Sequence, residues 1–581
     1  MKRTGEKFKA IFAALLFGVT IAVSGWVFAE GKSISGTVKD LSNDKGIPGV
    51  TVVIKEADTG KLAGKSATDA AGKYSVGIAA LGKYTLVASK YGYKYVTALN
   101  VIELSDITQN PTVNVSLGRY SWLRLKAEGP TPPLYWDTES GKSYIIPALE
   151  IPALILALNG ADRLIFPNQM EDGKKVYSST WKTTRDHVLH GPWTVDTDAF
   201  SINQFGHPYQ GTLYYGFARS AGLNFWESYL YTNAGSLIWE TAGETTRPSI
   251  NDQIASGTGG SFFGEALFRM SSLVLEGSGD KPGFWRETCA AILCPSMEFN
   301  RLANGDRFKP VFPSNNPAIA WRLRLGGSLN SHLKDKGLDT LINKNQVTAD
   351  YAIAYGLPGK PDYSYDRPFD YFNFEFSTLG KAKNPFDNIM LRGLLLGTDY
   401  EAGDNYRGIW GLYGGYDYIS PQIFRVAGTS ASFGTTYQWW LTRAIALQGS
   451  ALGGVGYAAA GNVTPDAERD YHFGIAPQGL IALRCIFDDI AMIDLTERAF
   501  YITGAGGNDP GGREDINRLN VGLTVHIYHR QAIGIQYIGN IRNARYPDRP
   551  DSHQSLGTYA LVYTILGDSG FGQVEWRDGV K

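Results

Sequence analysis

The chain of 581 residues is poor in cysteine and has almost no net charge. Its three cysteines cannot all pair with one another, so a disulfide framework is excluded and one bridge at most can form. The spacing of Cys289, Cys294 and Cys485 matches no zinc or redox motif, and we expect buried, small hydrophobic side chains. Because 55 basic residues nearly balance 56 acidic residues, no nucleic-acid partner is implied.

Long apolar runs are missing once the N-terminus is set aside. The chain begins with four basic residues, an apolar stretch over 10–23, and small residues at the −3 and −1 positions of a cleavage site ending at Ala29. That order predicts a signal peptide over residues 1–29. A membrane anchor is disfavoured because the apolar core is shorter than the ~20 residues needed to span a bilayer. Further on, the run from Tyr144 to Leu158 is interrupted by Pro147 and Pro152, so any crossing is predicted to use strands.

Familiar catalytic signatures are also absent. The chain contains no Gly-x-Ser-x-Gly elbow, no His-Glu-x-x-His and no Walker loop. A Ser249, His207 and Asp252 triad is arithmetically possible, but the spacing does not favour it. No cofactor and no metal ion are predicted from these patterns, and whether the protein is an enzyme stays open.

Aromatic residues and glycine are abundant, at 13% and 68 copies. From residue 305 to 581, apolar and polar residues alternate, as where Trp321 and Leu323 flank Arg322. About twelve such runs lie between Ala318 and Leu566, and ten or fourteen remain open. Long, aromatic, alternating strands are typical of an antiparallel outer-membrane β-barrel. A TonB-dependent receptor is a poor alternative, because the chain is too short for a plug and 22 strands.

The segment 30–119 consists of short β runs bounded by turn residues, which predicts a small sandwich. Two of its phrases are Ile34-Ser35-Gly36-Thr37-Val38 and Thr68-Asp69-Ala70-Ala71-Gly72-Lys73-Tyr74. The segment resembles the carboxypeptidase regulatory-like domain. That resemblance implies a transthyretin-like, seven-stranded sandwich without catalytic residues, placed in the periplasm, where periplasmic proteins or glycan are possible partners. A Pro-rich linker over 120–142 separates it from the rest.

The segment 143–304 changes to helical spacing, as in Phe263, Leu267, Met270 and Val274. Its distinctive phrases are Phe205-Gly206-His207-Pro208, Trp239-Glu240, Ser249-Ile250-Asn251-Asp252 and Gly264-Glu265. Their order resembles the bacterial family described as domain of unknown function 3943 and, more distantly, a small lipoprotein family. The resemblance implies an envelope location and this architecture, but no reaction.

The candidate site combines residues of this helix-rich segment. A helix through Phe225 to Glu244 would place Trp226, Glu240 and Glu244 on one polar stripe. Two carboxylates one turn apart repel, so a cation is needed, and His207 and Arg219 are the natural suppliers. The catalytic hypothesis makes His207 a base or metal ligand that Glu240 or Glu244 orients, at the mouth or interior of the barrel. The candidate binding residues are Arg219, Trp226, Ser249, Asp252, Glu265 and Arg269.

A structural interpretation of the same residues is favoured. Ser249 and Asp252 fit a helix N-terminal capping box, and Glu265 with Arg269 fits an ion pair one turn apart. Gly211, Gly222, Gly243 and Gly264 indicate close helix packing, with the helices at or in the periplasmic end of the barrel. The sequence thus predicts an outer-membrane barrel in contact with outer-membrane lipid, serving envelope maintenance or solute passage. The alternative is an outer-membrane enzyme that acts on lipid or glycolipid.

Overall fold

The structure is a computed structural model, and the statements below concern the residues that it describes. These are residues 32–40, 43–57, 62–78, 80–90, 96–97, 102–104, 111–117, 142–171, 174–196, 198–276, 281–309, 317–335, 338–342, 346–361, 363–380, 386–421, 423–463, 468–506 and 512–576. The predicted signal peptide over 1–29 and the Pro-rich stretch 129–133 of the linker lie outside them.

The N-terminal part forms a β-sandwich. Its described strands are β1 Lys32–Asp40, β2 Thr51–Glu56, β3 Leu62–Ala67, β4 Lys73–Ile78, β5 Gly82–Ser89, β6 Val96–Thr97, β7 Ile102–Leu104 and β8 Val115–Leu117. One sheet has the order β4-β1-β8, and the other has β3-β2-β5-β6 with β7 on β5. Eight described strands therefore stand where the resemblance implied seven. Strand β3 contains no β-branched or aromatic residue, so its sequence gives no strand signal, yet it pairs with β2.

The middle part is helical. Its helices are α1 Ile145–Ile165, α2 Trp181–His190, α3 His207–Ser220, α4 Phe225–Ile238, α5 Ile250–Asp252, α6 Gly260–Glu276, α7 Phe284–Leu293 and α8 Pro295–Ala303. Three π-helical turns interrupt this series, at Ile202–Gly206, Trp239–Gly243 and Gln253–Gly259. A short hairpin of β9 Met170–Glu171 and β10 Lys174–Lys175 follows α1.

Helix α1 corrects the expectation that no helix-length apolar segment follows the N-terminus. Pro147 lies in the first turn, where a residue without a backbone N–H loses no intrahelical hydrogen bond. Pro152 is accommodated within the helix. The helix is long and apolar enough to cross a membrane by length and composition alone. Leu149, Leu156 and Leu164 are exposed on it. A proline pair inside an apolar run is therefore not sufficient to break it.

The C-terminal part is a closed antiparallel barrel. Its strands are β11 Ile319–Asp335, β12 Leu338–Ile342, β13 Val347–Tyr355, β14 Phe372–Leu379, β15 Phe386–Ala402, β16 Tyr406–Ile419, β17 Phe424–Trp440, β18 Ile445–Asn462, β19 Tyr471–Phe487, β20 Ala491–Ile502, β21 Arg513–Tyr528, β22 Gln531–Tyr546 and β23 Arg549–Leu566. Strands β11 and β13 to β23 pair in order, and β11 pairs with β23. This ring of described strands has twelve members, as predicted, while β12 pairs only with β11.

Ion pairs across the barrel show which side chains face the lumen. Asp417 on β16 accepts from Arg392 on β15 at 2.6 Å and from Arg498 on β20 at 2.9 Å. Strands β16 and β20 are not neighbours in the sheet, so Asp417 and Arg498 meet through the lumen. Side chains alternate across a strand, and Tyr416 and Tyr418 therefore face outward. Elsewhere the outer wall exposes apolar side chains, including Trp410, Phe433, Ile481, Ile535 and Leu561.

The helical part packs against the outside of this wall. Phe263 of α6 stacks on the outward-facing Tyr416 with ring centroids 5.6 Å apart, and on Phe374 at 6.1 Å. Phe200 meets Tyr471 edge-on at 5.3 Å. At Gly414 an added Cβ would lie 2.7 Å from Phe262, so glycine permits the close approach. The helices therefore lie beside the barrel wall and not inside the barrel, whereas their position at its periplasmic end stays a prediction.

The residues after β23 fold back into the barrel. Gln438 Nε2 donates to Val574 O at 2.6 Å, and Gln448 Nε2 donates to Gly572 O at 2.9 Å. Trp440 Nε1 also donates to Val574 O at 3.1 Å. Since Gln438 and Gln448 face the lumen near the hairpin that joins β17 to β18, this tail covers the interior at that end of the barrel.

Candidate functional site

Three ionisable side chains meet inside the helical bundle. Potential ligand atoms of His207, Glu240 and Asp252 all lie within 4.8 Å of one another. His207 Nε2 is 3.8 Å from Asp252 Oδ2. The three residues are 7%, 6% and 4% exposed, so all are buried. We refer to His207, Glu240 and Asp252 as the acid–histidine cluster.

Each member of the acid–histidine cluster adjoins a π-helical turn. His207 follows the first turn, Glu240 lies in the second, and Asp252 precedes the third. A π-helical turn carries an extra residue, which rotates the side chains that follow it, and such turns often occur at functional sites. The second turn also ends the predicted helix early, because Glu244 has extended backbone. The predicted stripe through Glu240 and Glu244 is therefore absent from the structure.

A neighbouring group holds each cluster member from one side. His207 Nδ1 lies 3.2 Å from Ser256 Oγ, a hydrogen-bond distance. The backbone N–H of Ser249 donates to Glu240 Oε2 at 2.8 Å. Asn251 Nδ2 donates to Asp252 Oδ1 at 2.9 Å. These contacts fix the side chains so that His207 Nε2 and Asp252 Oδ2 face each other.

The electrostatics of the cluster disfavour charge. Burial, then the nearby Asp252 and Glu244, hold the pKa of Glu240 well above its ordinary value. Burial, then Asp196, likewise raises the pKa of Asp252, and burial raises that of Glu244 to about 7. The pKa of His207 is lowered because burial outweighs the surrounding carboxylates. No lysine or arginine forms an ion pair with Glu240, Glu244 or Asp252 in the described part of the chain.

Arg219 does not supply the missing cation, so that prediction was wrong. Its guanidinium donates to Glu265 at 2.7 and 3.0 Å, and Arg269 donates to the same carboxylate at 2.7 Å. We refer to Arg219, Glu265 and Arg269 as the arginine–glutamate cluster. Burial alone would raise the pKa of Glu265, but the two arginines outweigh it and lower that pKa.

The arginine–glutamate cluster has a structural role. Arg269 Nη1 bonds Asp370 Oδ1 at 3.1 Å, and its Nη2 donates to Pro368 O at 2.8 Å. These contacts tie α6 to the loop between β13 and β14 of the barrel. The predicted pair of Glu265 with Arg269 is confirmed by the 2.7 Å contact.

Of the remaining candidate residues from the sequence, Ser249 lies beside the acid–histidine cluster and Trp226 does not. Ser249 caps α5 by accepting from Asp252 N at 3.2 Å, which confirms one half of the predicted capping box. The other half is replaced, since the Ser249 N–H is donated to Glu240. Ser249 Oγ bonds Asn251, so Ser256 and not Ser249 lies against His207. Trp226 is exposed and meets Phe225 edge-on, outside the cluster.

Sequence reasoning missed three residues beside the cluster. Asp196 carries part of the negative charge around Asp252, and Asn203 Nδ2 donates to Asp196 Oδ2 at 3.1 Å. Ser256 contacts His207 as described above. Asp196 and Asn203 lie shortly before His207 in the sequence, but only the fold shows that the Asp196 N–H donates to Asn251 of α5 and that Asn203 bonds Asp196.

Two of the four glycines predicted to allow close packing do so. An added Cβ at Gly211 would lie 2.0 Å from Ser256 O, and one at Gly264 would lie 2.8 Å from Tyr215 Cβ. Gly222 instead has φ of +85° in the turn after α3. The free cysteines also differ from expectation: Cys294 is buried, whereas Cys289 is exposed and Cys485 is intermediate.

The fold defines the class of protein: an outer-membrane-type β-barrel with an N-terminal sandwich and a helical bundle on its outer wall. Residues 192–296 match the family model described as domain of unknown function (DUF3943). Residues 33–118 match the carboxypeptidase regulatory-like domain. Both resemblances seen in the sequence are confirmed, and the DUF3943 match contains every member of both buried clusters.

Comparison with curated proteins gives no match. Among solved structures, 5-hydroxyisourate hydrolase of Klebsiella pneumoniae is 20% identical, covering 16% of this chain and 89% of its own, with a TM-score of 0.12. The NanC porin is 8% identical, covering 42% and 98%, with a TM-score of 0.22. The toluene transporter TodX of Pseudomonas putida is 9% identical, covering 44% and 90%, with a TM-score of 0.20. At such TM-scores these similarities carry no argument about function.

Proposed function

We propose that the protein resides in the outer membrane, with its sandwich in the periplasm, and that the barrel passes small polar solutes under the control of its C-terminal tail. The location is supported by the outer wall, where exposed apolar side chains recur on successive strands while charged side chains face the lumen. In water such a wall is unfavourable, whereas in lipid it is the expected surface.

A cavity in the lumen supports solute passage. Its volume is about 160 Å³, and its lining includes charged and amide side chains, among them Asp350, Asp387, Asn388, Arg518 and Asn540. Arg518 lies near the start of β21, whereas the tail binds near the hairpin between β17 and β18. Because successive hairpins alternate between the two ends, the cavity and the tail occupy opposite ends of the barrel. Such a lumen accepts polar molecules from one end.

The lumen also limits what can pass. Arg324 bonds Asp494 at 2.6 Å and Arg518 bonds Asp387 at 2.5 Å, so paired side chains cross the interior. At the far end, Gln438 and Gln448 hold the tail by its backbone carbonyls. We therefore propose that the tail is the closing element and that passage is restricted to small solutes.

The test is ion conductance in planar lipid bilayers. The full chain should insert and conduct weakly, and a chain truncated after Gly567 should conduct several-fold more, because β23 ends at Leu566 and the ring stays closed. Gln438→Ala should raise conductance to an intermediate level, since it removes one donor to the tail. Gln531→Ala is the matched control, because Gln531 is exposed at the start of β22 and is not among the residues that line the cavity.

Folding is followed separately by heat-modifiable migration on gels. A truncated chain that is folded and inserted but conducts no better than the full chain would refute the gating role. If neither chain conducts above the lipid background, solute passage is wrong. Recovery of the full chain in the soluble periplasmic fraction would refute the membrane location.

A further inference from the structure

We propose that the acid–histidine cluster binds one divalent transition-metal ion, with His207, Glu240 and Asp252 as ligands. Imidazole nitrogen and carboxylate oxygen together suit Zn²⁺ and its neighbours in the first transition row. Three protein ligands with one position left open is the arrangement of catalytic zinc sites, whereas structural sites are closed by four. This site is independent of the barrel lumen and of solute passage.

Charge is the first argument for a bound cation. Asp196, Glu240, Glu244 and Asp252 influence one another, and the described residues place only His207 among them as a potential cation. Elsewhere in the same bundle, the buried carboxylate of Glu265 is neutralised by two arginines. Buried charges are usually paired or coordinate metals. A divalent ion would neutralise the two buried ligand carboxylates.

Geometry is the second argument. In tetrahedral Zn²⁺ sites with bonds of about 2.0–2.2 Å, ligand atoms lie roughly 3.3–3.6 Å apart. The candidate ligand atoms lie within 4.8 Å of one another, so side-chain movements of about 1 Å would close the site. The three ligands come from three separate elements, α3, the second π-helical turn and α5, which converge only in the folded bundle.

The supporting contacts have the pattern of a metal site. A metal-bound histidine usually bonds a second group through its other ring nitrogen, which orients the ring. His207 does so through Nδ1 with Ser256, while Nε2 faces Asp252. Glu240 and Asp252 each accept one bond from a neighbouring donor, the Ser249 N–H and the Asn251 amide. The ligands are therefore held in advance of binding.

A buried amide beside the cluster points to a further ligand. Asn203 is completely buried, and its Nδ2 donates to Asp196 Oδ2, the carboxylate that borders Asp252. Among the described residues, Asn203 Oδ1 has no hydrogen-bond partner. A water bound to the metal ion could donate to this oxygen, which would satisfy a buried acceptor that otherwise costs free energy.

Two other arrangements of the same residues are possible outcomes of a test. The carboxylates could share protons without any metal. Alternatively Ser256, His207 and Asp252 could form a serine–histidine–aspartate triad, since His207 contacts both residues. A measurement of metal binding distinguishes the proposed metal site from both alternatives, because neither of them needs an ion.

The experiment uses the full chain in detergent, stripped with a chelator and titrated with ZnCl₂ by isothermal calorimetry, with bound metal counted by mass spectrometry. Wild type should bind one equivalent. His207→Ala, Glu240→Gln and Asp252→Asn should each weaken binding by at least about 100-fold, and Ser256→Ala by about 10- to 100-fold, as for loss of a supporting contact. His190→Ala, on the exposed end of α2, is the matched control and should bind as wild type does.

Absence of stoichiometric Zn²⁺ binding by the wild type would overturn the proposal, and so would unchanged affinity in all three ligand variants. Co²⁺ substitution gives a readout that does not depend on variant folding. Wild type loaded with Co²⁺ should show visible absorption bands of a four- or five-coordinate ion, whereas the spectrum of hydrated Co²⁺ alone would contradict an internal site.

Discussion

The two clusters of the helical bundle differ in how their buried carboxylates are neutralised. In the arginine–glutamate cluster, two guanidinium groups lower the pKa of Glu265 despite its burial. In the acid–histidine cluster, burial and neighbouring carboxylates raise the pKa of Glu240 and Asp252. Both lie within the segment that matches DUF3943, and α3 contributes His207 at its start to one cluster and Arg219 in its last turn to the other. The first arrangement stabilises the packing of α6 on the barrel, and the second is suited to bind a cation or exchange protons.

The largest expected effect comes from removing the anion of the arginine–glutamate cluster. Glu265→Gln leaves Arg219 and Arg269 buried with a neutral partner, and its amide N–H group faces other donors. Breaking a buried pair from one side costs about 3–5 kcal/mol of unfolding free energy. That loss should appear in a urea titration in which unfolding of the helical bundle is detected by its susceptibility to proteolysis.

The control for this variant is Asp186→Asn, a half-exposed residue of α2 in a surface pair with Arg185. It should change the unfolding free energy by less than about 0.5 kcal/mol. If Glu265→Gln were as stable as the wild type, the two arginines would not depend on a charged Glu265, and the contrast between the two clusters would be wrong.

The next effect concerns the acid–histidine cluster and its metal ion. At a Zn²⁺ concentration about 100-fold above the dissociation constant, wild type should gain about 2.7 kcal/mol of unfolding free energy. Glu240→Gln should gain almost nothing from Zn²⁺, since a neutral amide is a poor ligand. Thermal or urea unfolding with and without Zn²⁺ measures both values.

Without metal, Glu240→Gln should change the unfolding free energy much less than Glu265→Gln does. Glutamine resembles the protonated form that burial already favours at Glu240, so we expect a change below about 1 kcal/mol in chelator. Equal, large destabilisation by Glu240→Gln and Glu265→Gln in chelator would mean that Glu240 is charged and paired in the folded protein.

A pH-dependent effect should appear at Glu298, where an arginine only partly offsets burial and a neighbouring carboxylate. Burial, then a hydrogen bond with Glu287, raises the pKa of Glu298 to about 8, although Arg301 contacts both carboxylates. The folded state therefore keeps a proton that the unfolded chain loses above its ordinary pKa near 4.5. Stability should fall as pH rises from that value through 8, because the unfolded state binds fewer protons there.

Glu298→Gln keeps a neutral donor to Glu287 at every pH, so its stability curve should be flatter between pH 5 and 9. The readout is the urea midpoint across this range. A variant that retains the full pH dependence of the wild type would show that another group is responsible.

Several features could be predicted because they are encoded within a few neighbouring residues. The alternation around Arg322 gave the inward and outward faces of the wall, and counting such runs gave twelve strands. The pair of Glu265 with Arg269 follows from their spacing on one helix. By contrast, the π-helical turn at Trp239–Gly243 has no clear sequence signal, and it alone displaced Glu244 from the predicted stripe.

By itself, then, the sequence determined which faces of the strands are apolar, which segments are helical and which phrases mark the two matched families. Only the tertiary structure decided what covers those faces and which charges meet. Phe263 reaches Tyr416, and Arg219 reaches Glu265 in place of Glu240, across long separations in the chain. Local patterns fix polarity at each position, but a contact between distant residues depends on how whole elements pack, and no local pattern specifies that partner.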